Sequence, residues 1–412
     1  MRTVQRTLVL TLPIALGLGA AHRADAQTPN IRIAGRIQTQ FAAYTGDSSA
    51  NWNPHAQANS SFEVRRLRLQ AEVRIGENIT MLLQPNFEMA SLRMRDAYLR
   101  VVLAHNASGG LGLTMGQEKK PFNRYELTAS INLPSIERGL RLPGLGSQIV
   151  AQNNLLEDNG YVAHDIGASV DVYGAGNRVQ LKAGMYNGSG ESSRDVNNAK
   201  TFAARLTGTL LRDNEQRPIL RAGVAVISRD RGIATSPTST AFTPDSSART
   251  SAFGIDAEWG DFRPGLHVIA DFASGTALQA APGLNQCPTG TAPVPCRLDG
   301  SPRNFGNLRP NAPASAFATF LTFQAVAAWR AQFEDPEGTR LIKIVEPALR
   351  FDYTDPNTST GSNQAVLITP VLNVYFSQTT LVRAGVDLYT YHDAAGASRS
   401  LRALRISWQS GF

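Results

Sequence analysis

The chain has 412 residues, a formal net charge of +7, two cysteines and a mean hydropathy of −0.19. Its arginines are spread along the chain among apolar neighbours, which argues against the clustered basic face of a nucleic-acid-binding domain. No run after residue 26 reaches the roughly 20 apolar residues of a membrane helix. Such a chain can span a membrane only as a closed barrel, since in lipid only helices and closed barrels satisfy every backbone group.

The first residues are typical of a secretory signal peptide. Arg2 and Arg6 precede a short apolar run, and Ala24-Asp25-Ala26 forms a small-x-small cleavage site. The alternative is a membrane helix, but the run is too short and Pro13 interrupts it. We expect residues 1–26 to be removed and residues 27–412 to form one domain. Removal leaves 37 basic and 32 acidic residues, a net charge of +5.

Alternation of apolar and polar residues with a period of two predicts the fold class. In the first segment Ile31, Ile33 and Ile37 share one face, and Arg32 and Arg36 share the other. Repeated over many long segments, this pattern is typical of an all-β transmembrane antiparallel barrel with an apolar outer wall. We predict about sixteen strands, at 31–44, 62–75, 79–89, 93–102, 111–118, 162–173, 178–187, 201–211, 218–228, 251–260, 264–273, 316–328, 340–353, 366–376, 380–391 and 401–412.

The connections between these strands mostly alternate in length, as in bacterial barrels with short periplasmic turns and long external loops. This parity puts both termini in the periplasm and makes 119–161 the third external loop. Two connections break the rule: 90–92 is external and short, and 329–339 is periplasmic and long.

Three local features refine the barrel. Around Arg65 and Arg66 the alternation changes phase, which indicates either a β-bulge or an outward Arg65 at the headgroup level. The last segment alternates up to the C-terminal Phe412, which resembles the signal read by the barrel assembly machinery. Aromatic residues near strand ends predict interfacial girdles. They are Phe41, Tyr44, Phe62, Tyr173, Tyr186, Trp259, Trp329, Tyr353, Phe376, Tyr389 and Tyr391.

The sequence gives little sign of catalytic or metal chemistry. No Gly-x-Ser-x-Gly elbow is present, and the histidines lack the spacing of metal ligands. We therefore expect no enzyme, no metal and no cofactor. Cys287 and Cys296 lie close together in a Pro/Gly/Thr-rich loop, and in an exported protein we expect them to form a local disulfide.

Several motifs in order along the chain resemble the phosphate-selective porin O and P family. They are Phe62-Glu63-Val64-Arg65-Arg66-Leu67-Arg68-Leu69, Asp96-Ala97-Tyr98-Leu99, Gly116-Gln117-Glu118-Lys119-Lys120-Pro121-Phe122, Glu126-Leu127, Glu137-Arg138, His164-Asp165-Ile166-Gly167 and Tyr186-Asn187-Gly188-Ser189-Gly190. Glu118, Asn123 and His164 depart from the family pattern, and the chain has only five lysines. The resemblance implies an outer-membrane porin, a homotrimer, and lipid and small solutes as partners, with no nucleic acid.

A porin needs a hydrated lumen, a constriction and an electrostatic bias. We expect the third external loop to fold inward as the constriction, although its charges would equally suit an exposed loop. Its candidate anion-binding residues are Lys119, Lys120, Arg124, Arg138 and Arg141. Basic side chains expected on the lumen wall are Arg32, Arg36, Arg66, Arg68, Arg74 and Lys182. We expect an anion-preferring pore, with phosphate or other oxyanions as solutes, because the planar fork of arginine binds two oxygens at once.

Two alternatives stay open at this stage. A barrel enzyme of the outer membrane would need an adjacent Ser and His on the outer wall. A surface structural or adhesion barrel would have an interior filled by apolar side chains or loops.

Overall fold

The protein is an antiparallel barrel that closes by pairing its first and last strands. The structure is a computed structural model that describes residues 28–46, 60–88, 91–142, 146–147, 151–193, 195, 200–230, 233–234, 242–243, 249–278, 286–289, 292–295, 317–335, 338–359, 361, 364–392 and 398–412. No helix in this part of the chain is long and apolar enough to cross a membrane.

Sixteen strands form the barrel, and each follows its sequence neighbour around the wall. They are β1 Asn30–Gly46, β2 Ser60–Ile75, β3 Ile79–Glu88, β4 Ser91–Asn106, β5 Gly109–Lys119, β6 His164–Gly174, β7 Val179–Tyr186, β8 Thr201–Arg212, β9 Pro218–Asp230, β10 Arg249–Trp259, β11 Gly265–Leu278, β12 Phe317–Gln332, β13 Ile344–Asp355, β14 Ala365–Tyr375, β15 Leu381–His392 and β16 Ser398–Gly411. The predicted fold class and strand number are confirmed.

In the described ranges, three short hairpins lie outside the barrel sheet, and two short helices lie in the third external loop. The hairpins pair Arg141–Leu142 with Gly146–Ser147, Ile233–Ala234 with Phe242–Thr243, and Gln286–Thr289 with Ala292–Pro295. The helices are α1 Arg124–Leu127 and α2 Gln152–Asp158. Cys287 lies in the third hairpin, but its side chain and Cys296 are outside the described residues, so the disulfide stays a prediction.

The two irregular connections are as the sequence indicated. β3 and β4 pair up to Glu88 and Ser91, which leaves a two-residue external connection. The long periplasmic connection extends the β12–β13 ladder, because the amide of Phe333 donates to the carbonyl of Lys343 at 2.9 Å.

The outer wall carries apolar side chains and the inner wall carries polar ones, as alternation requires. In β16, Leu404, Ile406 and Trp408 are exposed outside, whereas Arg405 and Ser407 are buried inside. The girdle prediction holds only in part, because five of its tyrosines lie at lumen-facing positions. Those five are Tyr44, Tyr173, Tyr186, Tyr389 and Tyr391.

The phase change at Arg65 is a β-bulge. Gln38 of β1 pairs with Arg66 and the next residue, Thr39, pairs with Val64, so Arg65 is the extra residue. Arg65 and Arg66 are both buried on the lumen side, which excludes the alternative of an outward Arg65. The bulge therefore directs two neighbouring guanidinium groups into the pore.

Candidate functional site

The third external loop folds into the barrel, as the sequence predicted. We call residues 120–163 the inner loop. Glu137 of this loop accepts from Arg65 Nε at 2.5 Å, from Arg65 Nη2 at 3.0 Å and from Arg66 Nη2 at 2.9 Å. Burial alone would raise the pKa of Glu137, but the two arginines outweigh it and hold the pKa well below its usual value. The bulge in β2 thus holds the inner loop through a buried carboxylate.

The opposite side of the inner loop begins at α1 and is held by carboxylates of the wall. Asp271 of β11 accepts from the backbone amides of Arg124 at 2.7 Å and Tyr125 at 3.0 Å. The Arg124 side chain donates to Glu258 of β10 at 2.7 Å. Near α2, the amide of Gln152 donates to Asp352 of β13 at 3.1 Å.

The middle of the inner loop lies against the strands that close the barrel. Ser130 Oγ accepts from Arg36 at 2.7 Å and from Arg68 at 3.0 Å. The carbonyl of Ile131 accepts from Arg383 of β15 at 3.0 Å, and Asn373 of β14 donates to the carbonyl of Pro134 at 2.8 Å.

Apolar side chains of the inner loop pack against small residues on the inner wall. Leu155, Leu156 and Tyr161 share a buried cluster with inward alanines of four neighbouring strands. These alanines are Ala203, Ala225, Ala252 and Ala273. A polar lumen was expected at these positions. Here the wall is instead apolar because a loop covers it, and the small side chains leave room for that loop.

The inner loop leaves one sector of the lumen wall uncovered. Among the described residues, the hydrogen bonds and buried clusters of the inner loop reach β1, β2 and β8–β16. They reach β5, β6 and β7 only at the external ends of these strands, through Lys119, Asp165 and Tyr186. Two long inward side chains of this sector stay partly exposed, Arg100 by 32% and Lys182 by 23%, whereas the shorter Thr114, Ser169 and Asp171 are buried. The water path therefore runs between the inner loop and the wall formed by β3–β7.

Three arginines of β1, β2 and β4 lie in register where this path meets the inner loop, with Asn86 of β3 between the second and the third. Arg36 pairs with Arg68, Arg68 pairs with Asn86, and Asn86 pairs with Arg93. Adjacent strands are about 4.8 Å apart, so these side chains form a continuous row along the wall. We call Arg36, Arg68 and Arg93 the basic row.

The basic row has no carboxylate partner within the described part of the chain. Arg36 and Arg68 donate only to the neutral oxygens of Ser130 and Asn86, and Arg93 makes no side-chain hydrogen bond there. Most other basic groups of the lumen are neutralised. The pairs are Arg205 with Asp256, Arg330 with Glu346, Arg350 with Asp352, Arg405 with Asp387, and Lys182 with Glu118.

The predicted constriction residues lie in different surroundings. Lys119 and Arg138 both contact Glu126 of α1, at 3.1 Å and 3.2 Å. Burial would raise the pKa of Glu126, but Lys119 and Arg138 outweigh it and lower the pKa to about 2. Lys120 is 2% exposed and pairs with Asp165 at 3.5 Å, and burial lowers its pKa. Arg124 is bound to Glu258, and the side chain of Arg141 is outside the described residues.

The predicted lumen-wall residues all occupy inward positions of the register. Arg66 contacts Glu137, and Lys182 contacts Glu118 at 2.5 Å. Arg32 pairs with Glu72 across β1 and β2 near the periplasmic end, where the exposed Arg74 also contacts Glu72. Arg93 was not among the predicted lumen-wall residues, although its alternation with Leu92 and Met94 was a signal for an inward side chain. Ser130 carried no such signal.

Comparison with known protein families finds one matching family model. The family model for phosphate-selective porin O and P matches residues 31–225. Over these residues, from β1 to the middle of β9, the chain is similar to this family. No curated protein matched the chain.

Solved structures similar to this porin are themselves outer-membrane barrels. The anion-selective porin from Comamonas acidovorans has a TM-score of 0.52 and 10% identity, covering 93% of this chain and 100% of that chain. The outer membrane channel DcaP of Acinetobacter baumannii has a TM-score of 0.51 and 11% identity, covering 93% and 97%. OmpT of Vibrio cholerae has a TM-score of 0.50 and 10% identity, covering 95% and 99%. At such identities the likeness shows the fold.

The family and fold together fix the general function. The chain is an outer-membrane porin that lets small hydrophilic solutes diffuse passively, and it is a channel rather than an enzyme. The sequence predictions of outer-membrane localisation and of small solutes and lipid as partners are confirmed.

Proposed function

We propose that this porin prefers anions and that the basic row is its selectivity element. The observation that carries the proposal is the set of three in-register arginines with no carboxylate partner among the described residues. Paired lumen charges largely cancel at a distance, whereas the basic row keeps its positive field. Arginine also suits oxyanions such as phosphate, since its guanidinium donates two parallel hydrogen bonds.

The size of the effect follows from Coulomb's law. An anion passing about 6 Å from one guanidinium in water gains about 0.7 kcal/mol, and screening at 0.15 M salt reduces this to about 0.3 kcal/mol. Three arginines then favour an anion by about 1 kcal/mol and disfavour a cation equally, which changes the permeability ratio about 30-fold. At 1 M salt the Debye length is about 3 Å, and the same charges change the ratio only about threefold.

Reversal potentials in planar bilayers test this proposal. The variant Arg36→Gln/Arg68→Gln/Arg93→Gln should lose most of the anion preference in a KCl gradient near 0.15 M, and less near 1 M. A matched control removes three arginines outside the lumen, with Arg217→Gln/Arg340→Gln/Arg402→Gln, and should keep the wild-type reversal potential. Cation preference in the wild-type porin, or equal shifts in both variants, would refute the proposal.

The inner-loop residues named from the sequence form a second candidate element. Lys119, Arg124 and Arg138 are partly exposed, but each contacts a carboxylate, so their field should be weaker than that of the basic row. Substituting these three by glutamine should therefore shift the reversal potential less than the basic-row variant does. A larger shift would move the selectivity element to the inner loop.

We also propose that the mature porin is a homotrimer, exported by its signal peptide and assembled through its C-terminus. A trimer form is described for the similar OmpT of Vibrio cholerae, with a TM-score of 0.50. At the closing seam, the amide of Phe412 donates to the carbonyl of Gly35 at 3.0 Å, and the Phe412 side chain is 78% exposed on the outer wall. An exposed terminal aromatic ring is available to assembly machinery. Replacing Phe412→Ala should slow insertion in reconstituted assembly assays, and unchanged rates would refute this role.

A further inference from the structure

Two inward side chains of β3 and β4 carry large apolar groups although the inner loop does not cover these strands. Leu82 of β3 pairs with Tyr98 of β4, and the next pair, Met81 with Leu99, is exposed on the outer wall. Leu82 and Tyr98 therefore lie on the lumen side, where both stay partly exposed. We call this pair the apolar shelf.

Four large apolar side chains at inward positions of other strands are buried under the inner loop. They are Ile227, Ile269, Val326 and Leu367, each at most 2% exposed and in a cluster with inner-loop residues. Leu82 and Tyr98 belong to none of these clusters. Because apolar surface in contact with water is unfavourable, the apolar shelf is a surface that an apolar part of a solute can cover.

Arg100 lies beside the apolar shelf, two residues from Tyr98 on the same face of β4. Its side chain crosses β5 over Gly112, where a Cβ would lie 3.5 Å from Arg100 Nε and Nη2. Nη2 donates to the hydroxyl of Tyr173 at 2.7 Å, and Asp171 is 3.8 Å away. Within the described residues, Nε and Nη1 of Arg100 have no hydrogen-bond partner, and the side chain is 32% exposed. The guanidinium is thus held in place with donors free for an anion.

The apolar shelf and the basic row lie along the same water path. On β3, Leu82 is four residues on the periplasmic side of Asn86, which stands in register with the basic row, so about 13 Å separates them. Gln84 lies between them and carries no charge. Glu72, which pairs with Leu82 across β2 and β3, contacts Arg74. A solute that passes the basic row towards the periplasm therefore reaches the apolar shelf and Arg100 next.

We infer that the apolar shelf and Arg100 form a subsite for aromatic carboxylates in the pore. The inference rests on the anion preference proposed above and adds the body of the solute to its charge. The carboxylate binds the free donors of Arg100, because a guanidinium and a carboxylate pair through parallel hydrogen bonds. The ring covers Leu82 and packs against the ring of Tyr98, which favours an aromatic body over an alkyl one. Inorganic phosphate has no apolar part, so the apolar shelf gives it no advantage.

Block of the chloride current in single-channel recordings of the mature porin tests this subsite. In the wild type, benzoate should halve the current at a concentration about three- to tenfold below that of acetate, which has the same charge and no ring. The variant Leu82→Gln/Tyr98→Gln should bring benzoate and acetate to the same concentration. The matched control Leu82→Met/Tyr98→Phe keeps the apolar surface and the ring, so it should keep the wild-type difference.

Three results would overturn the subsite. The first is equal block by benzoate and acetate in the wild type, which needs no variant, and the second is a wild-type difference in the glutamine variant. The third is equal block by benzoate and benzylammonium, which carries the same ring with a positive charge, because the ring would then bind without Arg100. The reversal potential of the wild type in a KCl gradient separates the two proposals. A preference for potassium would refute the anion preference, whereas a preference for chloride without the benzoate effect would refute the subsite alone.

Discussion

Glu137 is the residue whose substitution tests most directly how the inner loop is held. Its carboxylate is 6% exposed and binds both guanidinium groups of the β2 bulge. Glu137→Gln keeps the shape and removes the charge. Arg65 would keep its contact with Glu88, but Arg66 would be left with only Gln38, at 2.7 Å. The cost should therefore arise mainly at Arg66.

Removing one partner of a buried ion pair costs about 3–5 kcal/mol, because the other charge is left uncompensated. We expect Glu137→Gln to lower the free energy of unfolding by that amount. The double variant Arg66→Gln/Glu137→Gln removes the uncompensated charge and should recover part of the loss. The same single variant adds a positive charge to the lumen, so its anion preference should rise above that of the wild type.

Two measurements on one set of variants check this reasoning. Urea unfolding in detergent, followed by tryptophan fluorescence, gives the stability differences, and bilayer reversal potentials give the selectivity. A loss below about 1 kcal/mol for Glu137→Gln would mean that the bulge does not anchor the inner loop. A double variant less stable than the single one, or an anion preference that falls, would contradict the charge argument.

Two further predictions follow from contacts of the inner loop, and two from the sequence alone. The pKa of Glu126 is about 2 in the folded porin, below the value of about 4.3 for an unfolded glutamate. The ionised carboxylate should therefore stabilise the folded porin by about 3 kcal/mol above pH 5. This contribution should be lost as the pH falls from about 4.3 to 2. Glu126→Gln should remove this acid dependence in pH-resolved unfolding, and an unchanged profile would refute it. Ala225→Leu should displace the inner loop, cost about 1–3 kcal/mol and alter conductance, whereas the lipid-facing control Val224→Leu should do neither. N-terminal sequencing should find Gln27 as the first residue of the exported porin. We expect Cys287 and Cys296 to be bonded, so the mass of the non-reduced porin should be about 2 Da below that of the reduced porin.

The strands were predictable because lipid imposes one rule on every one of them. A side chain facing the bilayer must be apolar and its neighbour need not be, so alternation appears in the sequence even for β1 or β16 alone. The bulge was visible for the same reason, since Arg65 broke the phase. Lys119, the last residue of β5, and Lys120, the first residue of the inner loop, were also apparent as basic residues at the start of a long predicted third loop.

The ion pairs of the lumen could not be predicted from the sequence. Whether an arginine is neutralised depends on the register between strands and on where the inner loop runs. Arg36 and Arg66 look alike in sequence, yet one meets a serine and the other a glutamate. Lys120 was expected to face the pore, but Asp165 at the start of β6 holds it in a buried pair. These contacts join residues that are far apart in the sequence, so they form only when the barrel closes.

The inner loop is fastened both to the first two strands and to the last strands, through Arg36 near one terminus and Arg383 near the other. A nascent barrel that lacks its final strands therefore has no completed set of attachment points for this loop. The inner loop should therefore narrow the channel in the same step of biogenesis in which the first and last strands pair. A half-inserted chain would be an open breach in the membrane, and only the finished cylinder would discriminate among the solutes that cross it.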